Sequence, residues 1–136
     1  MPKAKIKWVG EGLGFLGEVE TGAPLALRGG KEGGPSPMEL LLIAIAGCSG
    51  MDVISILEKM KLKVRRFEVE IEGERASDHP KRYKKIELLY RVYGKGIPEE
   101  RVNHAIELSQ EKYCGALASL REDIEIKSRF EIIEED

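Results

Sequence analysis

Amides, aromatics and long apolar runs are all scarce in this chain. Its 136 residues include one asparagine, one glutamine, one threonine and one tryptophan, and aromatics make up 6%. Few labile amides beside abundant lysine and glutamate is a composition typical of thermophiles. No apolar run reaches the ~18–20 residues that span a bilayer, so no membrane partner is expected. The opening segment MPKAKIKWVGEG lacks the apolar centre of a signal peptide, so a cytoplasmic location is expected. Excess positive charge is also missing. With 22 basic and 24 acidic residues the net charge is −2, which argues against unselective nucleic-acid binding.

Histidine and cysteine are limited to two residues each. In a reducing cytoplasm two cysteines are redox-active, metal-bound or merely buried, more often than a permanent staple. His79 and His104 lie at no close metal-ligand spacing to Cys48 or Cys114, so neither a zinc set nor any other metal is expected. The glycine-rich segment Gly29–Gly34 matches neither the Walker pattern nor a dinucleotide fingerprint, so no cofactor is expected.

What is present is ordered periodicity at 42% hydrophobic and 34% charged residues, consistent with one globular domain over 1–136. Strand-like alternation runs over Lys3–Val9, with Ala4, Ile6 and Trp8 on one face, and again over Leu13–Glu20. Gly10-Glu11-Gly12 between them reads as a hairpin turn. Pro24–Arg28 is a third short strand and Gly29–Gly34 a loop. Ser36-Pro37-Met38-Glu39 then carries three helix-start signals: an N-cap serine, a proline at the first helical position and an S-x-x-E capping box. Leu40–Ala46 is apolar throughout, so this helix, running to about Lys61, is expected to be buried on nearly all sides.

Phe67, Val69 and Ile71 alternate with glutamates, and Ile86, Leu88, Tyr90 and Val92 form a second such strand. Pro98 opens another helix that ends near Cys114-Gly115, a short helical turn falls in Ala116–Arg121, and Ile124, Ile126, Phe130 and Ile132 mark a last strand. The order β-β-β-α-β-β-α-β with short connections predicts an α+β fold with a mainly antiparallel sheet and a central buried helix.

Two residues carry candidate chemistry. Cys48 sits among Gly47, Ser49 and Gly50, small neighbours that leave room for close helix packing or for a substrate near the sulfur. Cys114 ends the second long helix. Both also suit the simpler role of small buried hydrophobes. A thiol becomes a useful nucleophile when a nearby cation favours its thiolate, and Arg28, just before the glycine loop, is the candidate. Taken alone, Arg28 reads better as a solvated charge at a strand end.

The stretch Gly33-Gly34-Pro35-Ser36-Pro37-Met38-Glu39-Leu40-Leu41 through Ala46-Gly47-Cys48, with Glu111-Lys112-Tyr113-Cys114-Gly115, resembles the OsmC/Ohr family, and the element order agrees across nearly the whole chain. The resemblance implies an OsmC-like intertwined homodimer and a cysteine-based peroxidase acting on organic hydroperoxides in oxidative-stress defence. It implies Cys48 as the nucleophile, Cys114 as the resolving thiol, Arg28 as the thiolate-stabilising cation and an external dithiol as reductant. The family's glutamate lies ten residues before the first cysteine. Here that position is Met38, and Glu39 is the neighbouring acid, which nine residues of ideal helix place opposite Cys48. This departure motivates the alternative of a dimeric small-molecule binding protein that keeps the fold with weak or no peroxidase activity.

Overall fold

The computed structural model describes residues 1–28 and 33–136, so 29–32 of the predicted glycine loop lie outside it. The chain forms two compact units, Met1–Leu41 and Leu42–Asp136.

The first unit is an antiparallel sheet of β1 (Ala4–Trp8), β2 (Phe15–Val19) and β3 (Leu25–Leu27), in that order. Pairing runs from Ala4 opposite Val19 to Trp8 opposite Phe15, so the turn between them is held at its base. Gly10 and Gly12 adopt positive φ in that turn, and the Trp8 indole N–H donates to the Gly12 carbonyl at 3.0 Å. After β3, the Arg28 N–H donates to the Pro35 carbonyl at 3.1 Å. Gly34 has φ +97° and packs so tightly on the Ala26 carbonyl that no Cβ would fit.

Helix α1 (Pro37–Lys59) starts as the sequence predicts. Its capping box is reciprocal: the Glu39 N–H donates to Ser36 Oγ at 3.2 Å, and the Ser36 N–H donates to Glu39 Oε1 at 3.0 Å. It runs unbroken through Gly47 and Gly50.

In the second unit β5 (Tyr83–Gly94) lies between β4 (Val64–Arg75) and β6 (Glu125–Glu134). Ile86, Leu88, Tyr90 and Val92, at period two, form one fully buried face of β5. Ile45, Val53 and Leu57 of α1 and Val102, Ala105 and Ile106 of α2 (Glu99–Leu108) are buried as well. On the opposite face, Arg91 bridges Glu70 of β4 at 2.9 Å and Glu131 of β6 at 3.1 Å. After α2 the chain makes one π-helical turn (Ser109–Tyr113) and a short helix α3 (Gly115–Ala118).

Two features depart from the sequence reading. First, β4 pairs antiparallel with β5, but β6 pairs with β5 in parallel, Lys85 opposite Glu125 through Gly94 opposite Glu134. The helical crossover returns the chain to the starting end of β5, which is how a parallel neighbour is reached. Three of the four strand pairings remain antiparallel. Second, α1 is covered on one side only. Ile45 and Ala46 are buried, but Ile43 is 56% and Met51 73% exposed. A single three-stranded sheet and one further helix cannot wrap an all-round apolar helix. By length and composition alone α1 could also cross a membrane, although short runs did not suggest it. Ser49 and Asp52 in its middle are instead bonded to side chains of this unit.

Candidate functional site

Cys48 and Cys114 are 66 residues apart in sequence, and both are free thiols. Helix α1 carries Cys48, half-buried, and one turn later on the same face Asp52, at the i to i+4 spacing. Cys114 is buried, 3% exposed, at the end of the π turn. There its N–H donates to the Ser109 carbonyl at 2.7 Å, five residues back. The wider turn thus brings Ser109 and Cys114 onto the same side of the chain. The two sulfurs and a carboxylate oxygen of Asp52 lie within 4.8 Å of one another.

A chain of buried hydroxyls leads to this cluster. Tyr90 OH and Ser49 Oγ are 2.6 Å apart, and Ser49 Oγ and Ser109 Oγ 2.8 Å. Ser109 donates to Asp52 Oδ2 at 3.0 Å, and the Gln110 amide donates to Tyr90 OH at 3.1 Å. These contacts settle every donor. A serine has one hydroxyl proton, and that of Ser109 goes to the carboxylate. Ser49 must therefore donate to Ser109, and Tyr90 to Ser49. The chain Gln110 to Tyr90 to Ser49 to Ser109 to Asp52 points one way and ends on a carboxylate oxygen.

Burial pushes the Cys114 thiol above the usual cysteine range, and its hydrogen bond and electrostatic interaction with Cys48 act in the same direction. The Leu117 N–H, which donates to Cys114 Sγ at 3.5 Å, pulls it partly back. Burial likewise raises the Tyr90 phenol. Both groups hold their protons more tightly when folded. The native state therefore binds more protons than the unfolded chain once pH passes the ordinary cysteine value of about 8.5. The stability they contribute is intact below that value and is lost as pH rises through the raised folded-state values. Urea unfolding under reducing conditions is expected to show this alkaline decline, flattened in Cys114→Ser and Tyr90→Phe. An unchanged slope in both variants would contradict it.

The other residues predicted from sequence fall elsewhere in the chain. Arg28 and Glu39 belong to the Met1–Leu41 unit. The Arg28 side chain packs along Gly14 and Gly33, where a Cβ would come within 4 Å of it. The Glu39 carboxylate serves as the helix cap. His79 and His104 are exposed and lie outside the thiol cluster. Cys48, Asp52 and Cys114 are the described residues whose donors lie close enough to contact one cation. Metal ligation needs thiolates, and the burial that keeps Cys114 protonated opposes it. The sequence reading missed Asp52, Ser49, Tyr90, Ser109 and Gln110. Only Asp52 left a local signal, its four-residue spacing from Cys48.

Elsewhere along α1, Ile43, Gly47, Met51 and Ile54 line an open apolar groove with Phe67, Val69 and Ile71 of β4. Gly50 makes its floor narrow, because a Cβ there would already touch Val69 at 3.4 Å and Phe67 at 3.6 Å.

The family model described as OsmC-like protein matches residues 29–129. Protein YhfA of Escherichia coli strain K12 is 38% identical over 132 residues, covering 96% of this chain and 98% of its own length. The crystal structure of a hypothetical protein from Aquifex aeolicus superposes with a TM-score of 0.90 at 33% identity, covering 100% of this chain and 98% of that one. The organic hydroperoxide resistance protein OhrB of Bacillus subtilis shares the fold, with a TM-score of 0.68 at 14% identity over 96% of this chain and 98% of its own.

Proposed function

This chain belongs to the OsmC-like protein family, and from that premise we propose that it is a thiol-dependent hydroperoxide reductase. The observation that carries the reading is the meeting of Cys48 and Cys114, far apart in sequence, with their sulfurs within 4.8 Å. Cys48, the more exposed of the two, is the nucleophile. Its thiolate attacks one peroxide oxygen, the O–O bond breaks, and the departing alkoxide takes a proton to leave as an alcohol. Cys48 is then a sulfenic acid. Cys114 condenses with it, giving a disulfide and water, and an external dithiol returns both thiols in a reducing cytoplasm. Arg28 is assigned the thiolate-stabilising role, as the family resemblance implies. The open apolar groove along α1, which Gly47 next to Cys48 in sequence helps to line, favours organic hydroperoxides over hydrogen peroxide. Turnover of cumene hydroperoxide with dithiothreitol, beside intact mass of the peroxide-treated chain, tests the assignment. A loss of two hydrogens per chain supports it, and unchanged thiols overturn it.

The second reading, a dimeric small-molecule binder with weak or no peroxidase activity, draws on the commitment of the Glu39 carboxylate to the helix cap. The same mass measurement separates the two.

The working unit is proposed to be a homodimer, supported by the apolar face that α1 leaves open at Ile43 and Met51. Light scattering is expected to give twice the 15.2 kDa chain mass. Ile43→Glu, which puts a charge on that face, is expected to return it to one chain mass. A wild-type monomer would refute the arrangement.

A further inference from the structure

We propose that Asp52 is the base of the resolving step, taking the Cys114 proton as Cys114 attacks Cys48 and passing it to the leaving group. The inference rests on the thiol-pair reading above and names a residue that reading did not assign.

Three observations carry it. The Asp52 carboxylate is within 4.8 Å of both sulfurs, so it faces the proton's source and its destination. One of its oxygens, Oδ2, is held by Ser109 at 3.0 Å, at the end of a hydroxyl chain that can only donate towards it. That leaves the carboxylate aimed, with its acceptor capacity turned towards the sulfurs only partly used by Ser109. Lastly, Cys114 is the thiol in the pair that burial keeps protonated. A protonated thiol is a poor nucleophile, so a buried resolving cysteine needs a local proton acceptor.

The step balances without an outside reagent. The Cys114 S–H bond breaks and its electron pair forms the S–S bond. The S–O bond of the Cys48 sulfenic acid breaks, and hydroxide leaves with the proton delivered through Asp52, as water. The titratable groups facing Asp52 are Cys48 on its own helix, Cys114 at the π turn and Tyr90 on β5. Tyr90 is held protonated, so it does not compete as a base.

The test isolates this step from peroxide chemistry. The reduced full-length chain is treated with dithiobis(nitrobenzoate). The more accessible thiol, half-buried Cys48, forms a mixed disulfide, and attack by Cys114 then expels a second thionitrobenzoate, followed by its absorbance. With a built-in base, that second release is expected to be nearly independent of pH between about 6 and 8. In Asp52→Asn the amide oxygen still accepts from Ser109, so the hydroxyl chain stays satisfied while the base is lost. Release then waits for Cys114 to ionise, and is expected to be at least roughly tenfold slower at pH 6 and to climb about tenfold per pH unit. Asp52→Glu is expected to restore the flat profile, which a purely structural role would not do. Wild-type rate and slope in Asp52→Asn would overturn the proposal. If the release data follow expectation but wild type is inert to hydroperoxides, the peroxidase reading falls and Asp52 stands. If peroxide forms the disulfide equally fast in wild type and Asp52→Asn, Asp52 falls and the peroxidase stands.

Discussion

Replacing Cys48 with serine is expected to bring hydroperoxide turnover down to the uncatalysed background and to abolish disulfide formation. A serine hydroxyl presents no thiolate at neutral pH and cannot form an S–S bond, so both steps fail together. Replacing Cys114 is expected to look different. The first oxidation survives in Cys114→Ser, so the chain gains one oxygen on Cys48 instead of losing two hydrogens, and a sulfenic-acid trap captures it. The contrast assigns the roles. Equal loss of the first oxidation in both variants would mean that the sulfurs act as one unit. Oxygen gain in Cys48→Ser would exchange their roles. Folding is a small concern for either change, since Cys48 is only half-buried and Cys114 lies at a turn whose backbone hydrogen bond to Ser109 does not use the side chain. Full turnover in Cys48→Ser would remove the assignment altogether.

The parts of this molecule that were legible in its sequence are those set by near neighbours. The start of α1 is written in four consecutive residues, and the reciprocal bonds between Ser36 and Glu39 are those the S-x-x-E pattern calls for. Alternation along Phe67–Ile71 and Ile86–Val92 located two strands, because side chains of a half-buried strand must change sides at every residue. The direction of β6 was not legible, since it depends on where the α2 crossover returns the chain. Nor was the open face of α1. Apolar residues all round a helix show that it must be covered, but not by what. The candidate site divides in the same way. Two cysteines and their helical contexts were visible. The hydroxyl chain was not, because its links join residues 41, 57 and 60 apart and depend on a π turn that displaces Ser109 relative to an α-helix. Asp52 was the one member within reach of sequence reasoning, one turn from Cys48. An aspartate on an apolar helix has no evident role until its hydrogen-bond donor is known.

That hydroxyl chain makes the second large effect expected, this time on stability. Ser109 is fully buried and makes two side-chain bonds, accepting from Ser49 and donating to Asp52. Ser109→Ala removes both. The Ser49 hydroxyl, also fully buried, is then left with a proton and no acceptor, which costs about 1–3 kcal/mol. Ser49 cannot escape by turning its proton towards Tyr90, because Tyr90 already donates to it. If Tyr90 reversed instead, its proton would face the Gln110 amide, itself a donor. The one-way polarity thus passes the loss along the chain rather than letting a neighbour absorb it. Buried side-chain polar groups among the described residues are otherwise all satisfied, so there is no existing defect to hide the new one. In a chain of this length 1 kcal/mol corresponds to roughly 3–5 °C, so thermal unfolding is expected to drop by about 3–15 °C. Ser109→Thr keeps the hydroxyl and separates the lost bonds from any effect of altered packing. Tyr90→Phe is expected to cost less, about 0.5–1.5 kcal/mol, because Ser49 keeps its acceptor and only the outer link is cut. An Asp52 carboxylate freed from Ser109 also loses its aim at the sulfurs, so Ser109→Ala should slow the second thionitrobenzoate release while leaving its pH profile flat, the base being present but misplaced. A melting temperature within a degree of wild type would mean that Ser49 finds another acceptor and that the chain is less directional than its hydrogen bonds indicate.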